Sequence, residues 1–410
     1  MSQGTATSAG APQEGSFGRY VDRVWEPNPS GQGRRGRRGR RYRVFIPDPI
    51  AAREFPLDAG ALAALHDATK ALDRLEHIPS RLATLAAVAQ NLLRSESVAS
   101  SRIEDVFISH KRLARAAHAG PERLQRDGRA REVLGNVDAM KQAMEVGARD
   151  EIAVDDLLEI HRLLLRNTDI RQIAGVVRTT QNWIGGNPYN PLEAAFVPPP
   201  PESLPELLDD LCQFVQRDDL PPVVQAAIAH VQFETIHPFA DGNGRTGRAL
   251  IYAVLRRRGE ITRYIPPISL VLSAAPDIYV EGLNSYRRGH ASEWLELFAE
   301  TTARAAGEAE RLAKEIENLE EEWLRRVGEP RRDSATRLLI GALPAEPVID
   351  SASAGNLVDR SHVAVNNALR QLEEAGIVKR LNERKWGRVW ECDELLDLVK
   401  DFEESVRARL

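Results

Sequence analysis

The sequence predicts a mainly α protein with one β-hairpin flap and a C-terminal winged helix-turn-helix domain. Apolar residues recur at helical spacing through much of residues 57–258, as Val88, Leu92 and Ala99 illustrate. This periodicity fails between Gly175 and Val197, and short alternating segments occur near the C-terminus. At 410 residues the chain is long enough for two or three compact units.

Composition indicates an ordinary soluble globular protein. Hydrophobic residues make up 42% and charged residues 28%, and the formal net charge is −5. Cys212 and Cys392 are far apart and stand in no metal-ligand spacing, which excludes a disulfide framework and is typical of a reducing compartment. No segment resembles a signal peptide or the ~20 apolar residues of a membrane span. We therefore expect a cytoplasmic protein with no membrane partner.

Residues 1–41 are expected to form a disordered, basic lead-in. Residues 1–16 are small and polar. Between Gly31 and Arg43, seven arginines alternate with glycine. We interpret this run as a solvated, flexible segment, with a phosphate contact to nucleic acid as the alternative.

Periodicity divides the rest of the chain into four parts. We expect an N-terminal helical extension over 42–130, a second helical domain over 131–300, a charged helical linker over 301–333 and the winged helix over 334–410. Helical segments are predicted over the following ranges: 57–117, 131–167, 202–217, 221–236, 245–258 and 291–328.

The segment from Gly175 to Val197 predicts a β-hairpin or flap, because it is rich in Gly, Asn, Pro, β-branched and aromatic residues. Four prolines, 198–201, close it in extended form and prevent an immediate helix.

The last domain has the order of a winged helix-turn-helix, three short helices and then an alternating pair of strands. The recognition helix would begin at Ser361. It carries Glu373 and Glu374, so a protein-docking or oligomerisation role is preferred over DNA contact. DNA remains a partner to test through the cations of the wing, which are Lys379, Arg380, Arg384, Lys385 and Arg388.

The strongest functional signal is HPFADGNGRTGR, from His237 to Arg248. Pro238 disfavours helix at His237, so this base is expected at a loop. Residues 242–244 allow a tight turn that presents consecutive N–H groups to an anion. The turn feeds the N-terminus of a helix, which also favours a phosphate.

Charged side chains complete this pattern. Arg245 and Arg248 lie three residues apart on the new helix and can both reach phosphate oxygens. Asp241 is placed to share a Mg²⁺ ion with nucleotide phosphates. Taken singly, a His before Pro, a GNG turn and helical arginines are common surface features. Their combination within twelve residues predicts a base, a metal ligand and a phosphate nest.

The motif fits every position of the HPFx[DE]GNGRxxR pattern, and the chain resembles the Fic (Fic/DOC) family over roughly residues 42–400. GVVRTTQNWIGG and FVPPPPE are similar to the flap of that family. The resemblance implies a protein adenylyltransferase, which moves AMP from ATP, with Mg²⁺, to a Ser, Thr or Tyr hydroxyl of a target protein. The flap tip, Trp183, Ile184 and Gly185, would pair with an extended segment of the target.

The resemblance also implies a role for each site residue. His237 would accept the hydroxyl proton, Asp241 would hold Mg²⁺, and Arg248 would take the γ-phosphate. Tyr279 is offered as a contact to adenine. The other nucleotide-binding residues would be Gly242, Asn243, Gly244, Arg245, Thr246 and Gly247.

A second segment, SVASSRIED, places Ser100 and Glu104 four residues apart on one helix face. From the residues alone this is a solvated helix end. Its similarity to the inhibitory helix of the family, [ST]xxxE[GN], implies that Glu104 pairs with Arg248 and blocks the productive position of the γ-phosphate. Asp105 replaces the usual Gly or Asn, which tolerate a left-handed backbone more easily.

Alternative functions remain open beside the autoinhibited adenylyltransferase. The same fold could transfer another phosphate-containing group or remove AMP. The chain could instead be a DNA-binding regulator that senses nucleotide, although the intact His237 and Asp241 favour catalysis. A homo-oligomer is also left open.

Overall fold

The computed structural model describes residues 16–25, 40–78, 82–382 and 387–409. The helices are α1 (Ala59–Glu76), α2 (Leu82–Ile103), α3 (His110–His118), α4 (Pro121–Gln125), α5 (Gly128–Gly147), α6 (Val154–Leu165), α7 (Leu204–Val215), α8 (Pro222–Ile236), α9 (Asn243–Arg257), α10 (Ile268–Leu272), α11 (Pro276–Arg287), α12 (Ala291–Arg326), α13 (Ala335–Ala342), α14 (Ser351–Val358), α15 (His362–Glu374) and α16 (Asp393–Ala408). The strands are β1 (Gly18–Trp25), β2 (Arg40–Pro47), β3 (Val348–Asp350), β4 (Lys379–Arg380) and β5 (Val389–Glu391).

Helix α8 lies at the centre of the core. It is buried on all sides, since every residue from Val223 to Ile236 is buried. Pro222 occupies the first turn, where no backbone hydrogen bond is lost. Helices α7, α9 and α12 pack around it. The mainly helical prediction is therefore confirmed, and α8 is the element that carries His237 at its end. In the described part of the chain, no helix is both long and apolar enough to cross a membrane.

A β-hairpin near the N-terminus corrects the predicted lead-in. Strand β1 pairs with β2 in antiparallel register, with Tyr20 opposite Phe45. The expected disorder over 1–41 is therefore wrong for 18–25 and 40–41. Residues 1–15 and 26–39, which include most of the arginine run, lie outside the described residues.

The charged segment after residue 300 is not a separate linker. It belongs to α12, whose N-terminal half packs along α1. Leu312, Ile316 and Trp323 are fully buried in its C-terminal half. Most charged side chains of this segment lie on its exposed side, although Glu308 and Glu320 are buried. One continuous helix therefore joins the two predicted units.

The residues after α12 form α13 to α15 and a small sheet of order β3-β5-β4. The sequence did not predict α16, which follows the sheet and packs against α12, α10 and α3. Because α16 buries Val399 and Phe402, it joins this C-terminal unit to the helical body. The assignment as a winged helix stays a prediction. Arg384 and Lys385 of the expected wing lie outside the described residues.

The flap segment is mostly irregular. In place of a regular hairpin, isolated bridges join Ile184 to Phe196 and Asn187 to Asn190. A short 3₁₀ turn over Pro191–Glu193 fills the return path. Prolines and paired glycines interrupt the ladder that the β-branched residues would otherwise form.

Candidate active site

His237 caps the C-terminus of α8 in a left-handed backbone conformation, with φ 51° and ψ 59°. Its N–H donates to Phe233 O at 2.8 Å, and Pro238 prevents another helical turn. Non-glycine residues seldom adopt this conformation, and such strain is concentrated at functional sites. The chain thus leaves α8 abruptly at the predicted base.

The His237 imidazole is neutral at physiological pH. Burial, together with the positive charges of Arg178 and Arg287, lowers the pKa of His237 to about 4. Its Nδ1 is buried and has no hydrogen-bond partner among the described residues. A neutral imidazole can accept a proton, which is what the predicted role requires.

The phosphate-binding turn is braced by Asn243. Its Oδ1 accepts the N–H of Phe239 and its Nδ2 donates to the carbonyl of the same residue, both at 2.8 Å. Gly242 precedes α9 in a left-handed conformation, with φ 78°. Within the described residues no side chain caps α9. Its first backbone N–H groups thus lack a side-chain cap, and their contact to an anion stays a prediction.

His161, on α6, supports this turn from below. The N–H of Gly175 donates to its Nδ1, and its Nε2 lies 2.9 Å from Asp241 O. Its ring stacks on Phe239 at 3.7 Å. Burial lowers the pKa of His161 to about 4, so the ring is neutral and Nε2 carries the proton that it donates.

Arg248 is fully buried and is held by the end of α2. Its Nε donates to Ser100 Oγ at 2.9 Å, and its Nη2 donates to Ser100 O and to Glu104 Oε1, both at 2.8 Å. Burial opposes the charge on Arg248, but Glu104 outweighs it and raises the pKa of the guanidinium. The structure therefore brings Arg248 of the motif into contact with Ser100 and Glu104, the two residues that the sequence placed on one face of α2.

The Glu104 carboxylate lies over the N-terminus of α9. A side chain on Gly244 would collide with its Oε1. Although burial raises the pKa of Glu104, the charge and hydrogen bond of Arg248 outweigh burial and lower it. An ionised carboxylate thus lies at the N-terminus of α9 with Arg248 as its partner.

Asp241 and Arg245 stand at the rim of the same turn. The Asp241 side chain is 53% exposed, and Arg245 Nη2 lies 3.3 Å from its Oδ1. Arg245 itself is buried and also faces Glu132, at 3.9 Å. Arg245 therefore braces the loop here. The Oγ1 of Thr246 is buried and lacks a partner in the described chain.

Tyr279 is buried behind Arg248, with 5% of its surface exposed. Its hydroxyl lies 2.8 Å from His230 Nε2, and its ring stacks on the same imidazole at 6.0 Å. A contact between Tyr279 and adenine remains a prediction. In this state adenine would contact only the small exposed part of the Tyr279 ring.

Glu234 is a member of the site that the sequence did not reveal. It is buried one helical turn before His237, and its Oε1 has no partner among the described residues. Burial raises the pKa of Glu234 to about 7, against the charge of Arg248. No sequence signal marks it, because a glutamate near a helix end is usually solvated.

Arg178 joins the flap to the catalytic loop. It donates to His237 O at 2.9 Å, to Thr180 O at 3.0 Å and to Pro199 O at 2.6 Å. Arg178 is the only charged residue in the segment 175–187. This isolation is the sequence signal that could have marked it as a site residue. The flap base is therefore fixed directly beside the predicted base.

The predicted flap tip is partly occupied by its own contacts. Trp183 Nε1 donates to Asn187 O at 2.8 Å, and Ile184 exchanges backbone hydrogen bonds with Phe196. Gly185 is exposed, with φ 73°. A target segment added as a strand would have to pair with residues next to Ile184. The backbone N–H and C=O of Ile184 already form hydrogen bonds within the flap.

A loop that feeds an uncapped helix N-terminus, a neutral histidine and a buried arginine define a phosphate-binding site in a helical domain. Residues 151–255 match the model of the Fic/DOC family, and residues 62–145 match that of the Fic/DOC family N-terminal region. Over these two segments the chain is similar to the Fic/DOC family.

Relatives agree with this assignment. The protein adenylyltransferase fic-1 of Caenorhabditis elegans is 37% identical over 133 residues, 32% of this chain and 23% of that protein. The protein adenylyltransferase Fic of Nematostella vectensis is 33% identical over 178 residues, 42% of this chain and 38% of that protein. The chain thus matches less than half the length of these relatives.

A solved Fic family protein from Desulfovibrio desulfuricans G20 has a similar fold. It aligns with a TM-score of 0.50 over 82% of this chain and 97% of that one, at 19% identity. At this identity the likeness supports the fold alone.

Proposed function

We propose that this protein is an adenylyltransferase that moves AMP from ATP to a hydroxyl side chain of a target protein. The observation that carries the proposal is the uncapped N-terminus of α9 beside the neutral imidazole of His237. Such a terminus binds phosphate oxygens, and the imidazole can accept the proton of the nucleophile. Relatives named protein adenylyltransferase, with 33–37% identity, support the choice of AMP.

The reaction follows from these parts. His237 takes the proton of the target hydroxyl, whose oxygen forms a bond to the α-phosphorus of ATP. The bond from that phosphorus to the bridging oxygen breaks, and pyrophosphate leaves. The amides of Asn243 and Gly244 stabilise the charge on the phosphate oxygens, and Arg248 binds the γ-phosphate.

Asp241 fits the Mg²⁺ ion that this chemistry uses. Its exposed carboxylate stands at the rim of the phosphate turn, and Mg²⁺ prefers one or two carboxylates together with phosphate oxygens. When bound, the ion would offset the phosphate charge. To bind the ion, the Asp241 carboxylate would have to leave Arg245 or contact both Arg245 and the ion.

Glu104 would keep this activity low. Its carboxylate holds Arg248 and covers Gly244, so the triphosphate would meet a negative charge in place of two binding groups. We therefore propose autoinhibition by the end of α2, with Ser100 as the second residue that retains Arg248.

The target would dock along the flap in extended form, near Trp183, Ile184 and Gly185. We also propose a cytoplasmic location, which the two free cysteines, Cys212 and Cys392, support.

The C-terminal unit favours a protein partner over DNA. Lys379 is bound by Asp393, and Arg380 lies 2.9 Å from Glu373. Two of the cations expected to contact phosphates are thus neutralised within the protein. Docking to a protein or to a second copy of the chain is the role we propose.

The proposed activity is tested with ATP labelled at the α- or the γ-phosphate, Mg²⁺ and a cell lysate as the source of target. The variants are wild type, Glu104→Gly and Glu104→Gly/His237→Ala. We expect label on protein from α-labelled ATP alone, raised in Glu104→Gly by about 5-fold to 150-fold, the usual range of a regulatory coupling. The double variant should show no transfer.

Each other outcome has a definite meaning. Label retained from the γ-position would identify a transfer of phosphate. Unchanged labelling in Glu104→Gly would contradict autoinhibition. An absence of transfer from either position would refute the enzymatic proposal and leave the nucleotide-sensing regulator as the alternative.

A further inference from the structure

A groove separates the N-terminal hairpin from the return strand of the flap. It has a volume of about 350 Å³ and is lined by Tyr20, Asp22, Arg41, Tyr42 and Arg43 on one side and by flap residues 191–192 and 194–197 on the other. We call it the hairpin–flap groove. The family resemblance assigned no role to this hairpin, whose residues were expected to be partly disordered.

The groove is positively charged. Arg41 and Arg43 are exposed, and within the described residues neither forms an ion pair. Asp22 lies opposite Arg43 in the strand register and offsets one of these charges. Arg23, on the other face of the sheet, is already bound to Glu202 at 3.0 Å. Two arginines and one aspartate thus give the groove lining a formal charge of +1, on a chain of net charge −5.

The groove is connected to the His237 loop through the flap. Phe45 N–H donates to Val197 O at 2.9 Å, which fixes β2 against the flap. Two residues further along, Pro199 O accepts Arg178 Nη2, and the same arginine donates to His237 O. The flap residues that line the groove are thus joined, through Arg178, to the loop that carries the proposed base.

The arginines also match the repeat of an extended chain. Arg41 and Arg43 are separated by one residue on β2, so their side chains point to the same face of the strand. Alternate side chains of a bound extended peptide repeat at the same spacing, about 6.8 Å. Two carboxylates at alternate positions would face both guanidinium groups.

We propose that the hairpin–flap groove binds an acidic segment of the target protein, with Asp or Glu at alternate positions beside the modified hydroxyl. The inference rests on the proposed adenylyltransferase function and specifies its substrate class. Arg41 and Arg43 are specificity-determining residues in this scheme, because they contact the target away from the reacting atoms.

The test uses peptides of about nine residues, the upper length of a typical strand, each with one Thr. One peptide carries Glu at two alternate positions, the second carries Gln there, and the third carries Lys. Binding to the full chain is followed by fluorescence anisotropy, and AMP transfer is followed with the Glu104→Gly variant.

The groove variant is Arg41→Glu/Arg43→Glu. The matched control, Arg331→Glu/Arg332→Glu, makes the same charge change at an exposed loop before α13. Circular dichroism checks that each variant is folded.

We expect the Glu peptide to bind about threefold to tenfold more tightly than the Gln peptide, as two partly exposed ion pairs allow. The preference should shrink between about 0.1 M and 1 M salt. It should be lost in the groove variant, which should instead prefer the Lys peptide, and be kept in the control variant.

Equal binding of the Glu and Gln peptides, no binding of either, or a preference unchanged in the folded groove variant would overturn the inference. A single-stranded oligonucleotide that competes as well as the Glu peptide would also overturn it in favour of a nucleic-acid site. Binding with the expected preference but without AMP transfer would refute the proposed enzymatic function and leave the groove assignment standing.

Discussion

At the scale of single residues, the state of His237 decides whether the site can act as a base. Burial lowers the pKa of His237 to about 4, and Glu104, which raises it, only partly offsets that effect. A histidine in water has a pKa of about 6.5. The imidazole should therefore stay neutral throughout the physiological range and be ready to accept a proton without prior deprotonation.

We accordingly expect the His237 Cε1 proton to show no titration between about pH 5.5 and 8 in an NMR experiment, in which an exposed histidine would titrate. Comparison with His237→Ala identifies the resonance. In Glu104→Gly, the loss of the carboxylate should not move the titration upward. A midpoint near 6.5 would contradict the burial described for this residue.

Individual residues also show what the sequence could and could not reveal. The residues from His237 to Arg248 were predictable because they are consecutive and their chemistry is local. Arg178 was not, because its contact to His237 O joins positions 59 residues apart. Glu234 was missed for a similar reason, since its raised pKa depends on burial in the folded protein and on the charges of Glu104, Arg248 and Arg287.

At the scale of secondary-structure elements, the end of α2 is the proposed brake. The N–H of Val106 donates to Ser101 O and that of Asp105 donates to Arg102 O, both at 3.0 Å. These two hydrogen bonds form a Schellman motif, in which Asp105 adopts the left-handed conformation with φ 60°. The substitution of Asp for the usual Gly or Asn is thus tolerated, and the motif places Glu104 at the helix cap.

A left-handed Asp costs more free energy than a left-handed Gly, so Asp105 should weaken the brake. We expect Asp105→Gly to stabilise this helix end by about 0.5–1 kcal/mol and to lower AMP transfer by about twofold to fivefold. Asp105→Val, which is β-branched, should have the opposite effect. Transfer rates to lysate proteins measure both, and equal rates in the two variants would show that this cap does not control Glu104.

The burial of α2 also explains why its polar pattern was ambiguous in the sequence. Ser97 and Ser101 are fully buried and donate back to carbonyls of their own helix. Asn136 donates to Ser97 O at 2.9 Å. A serine-rich helix end is usually solvated, but here carbonyls of the same helix and Asn136 of α5 satisfy it inside the protein. Release of Arg248 should therefore involve only the last turn of α2.

At the scale of the whole molecule, the C-terminal unit and the helical body are joined by buried polar contacts. His110, on α3, lies 2.6 Å from Glu403 on α16, and both are buried. Asn91, on α2, donates to Pro344 O at 2.7 Å. Composition places domain boundaries but could not reveal these contacts, because they join side chains that are hundreds of residues apart in the sequence. A partner bound to the C-terminal unit would thus act on a unit that contacts α2.

Global stability should depend on Glu96, which lies at the centre of α2. Its carboxyl accepts the N–H of Ser269 at 2.8 Å and also contacts Ser269 Oγ and Tyr252. Burial raises the pKa of Glu96 to about 7, although these hydrogen bonds lower it. Because the native pKa exceeds the unfolded value of about 4.3, its contribution to stability is complete below that value and is lost as pH rises towards 7.

The Glu96→Gln variant should therefore exceed the wild type in stability by less at pH 5 than at pH 8, because Gln resembles the protonated carboxyl. The expected gain at pH 8 is on the order of 1–3 kcal/mol, or a few degrees in the unfolding temperature. Thermal unfolding at both pH values measures it, with Glu151→Gln as the exposed control. Each variant is compared with wild type at the same pH, so the titration of Glu234 and the buried histidines cancels. A difference that does not grow with pH would mean that Glu96 is ionised in the native protein at pH 5.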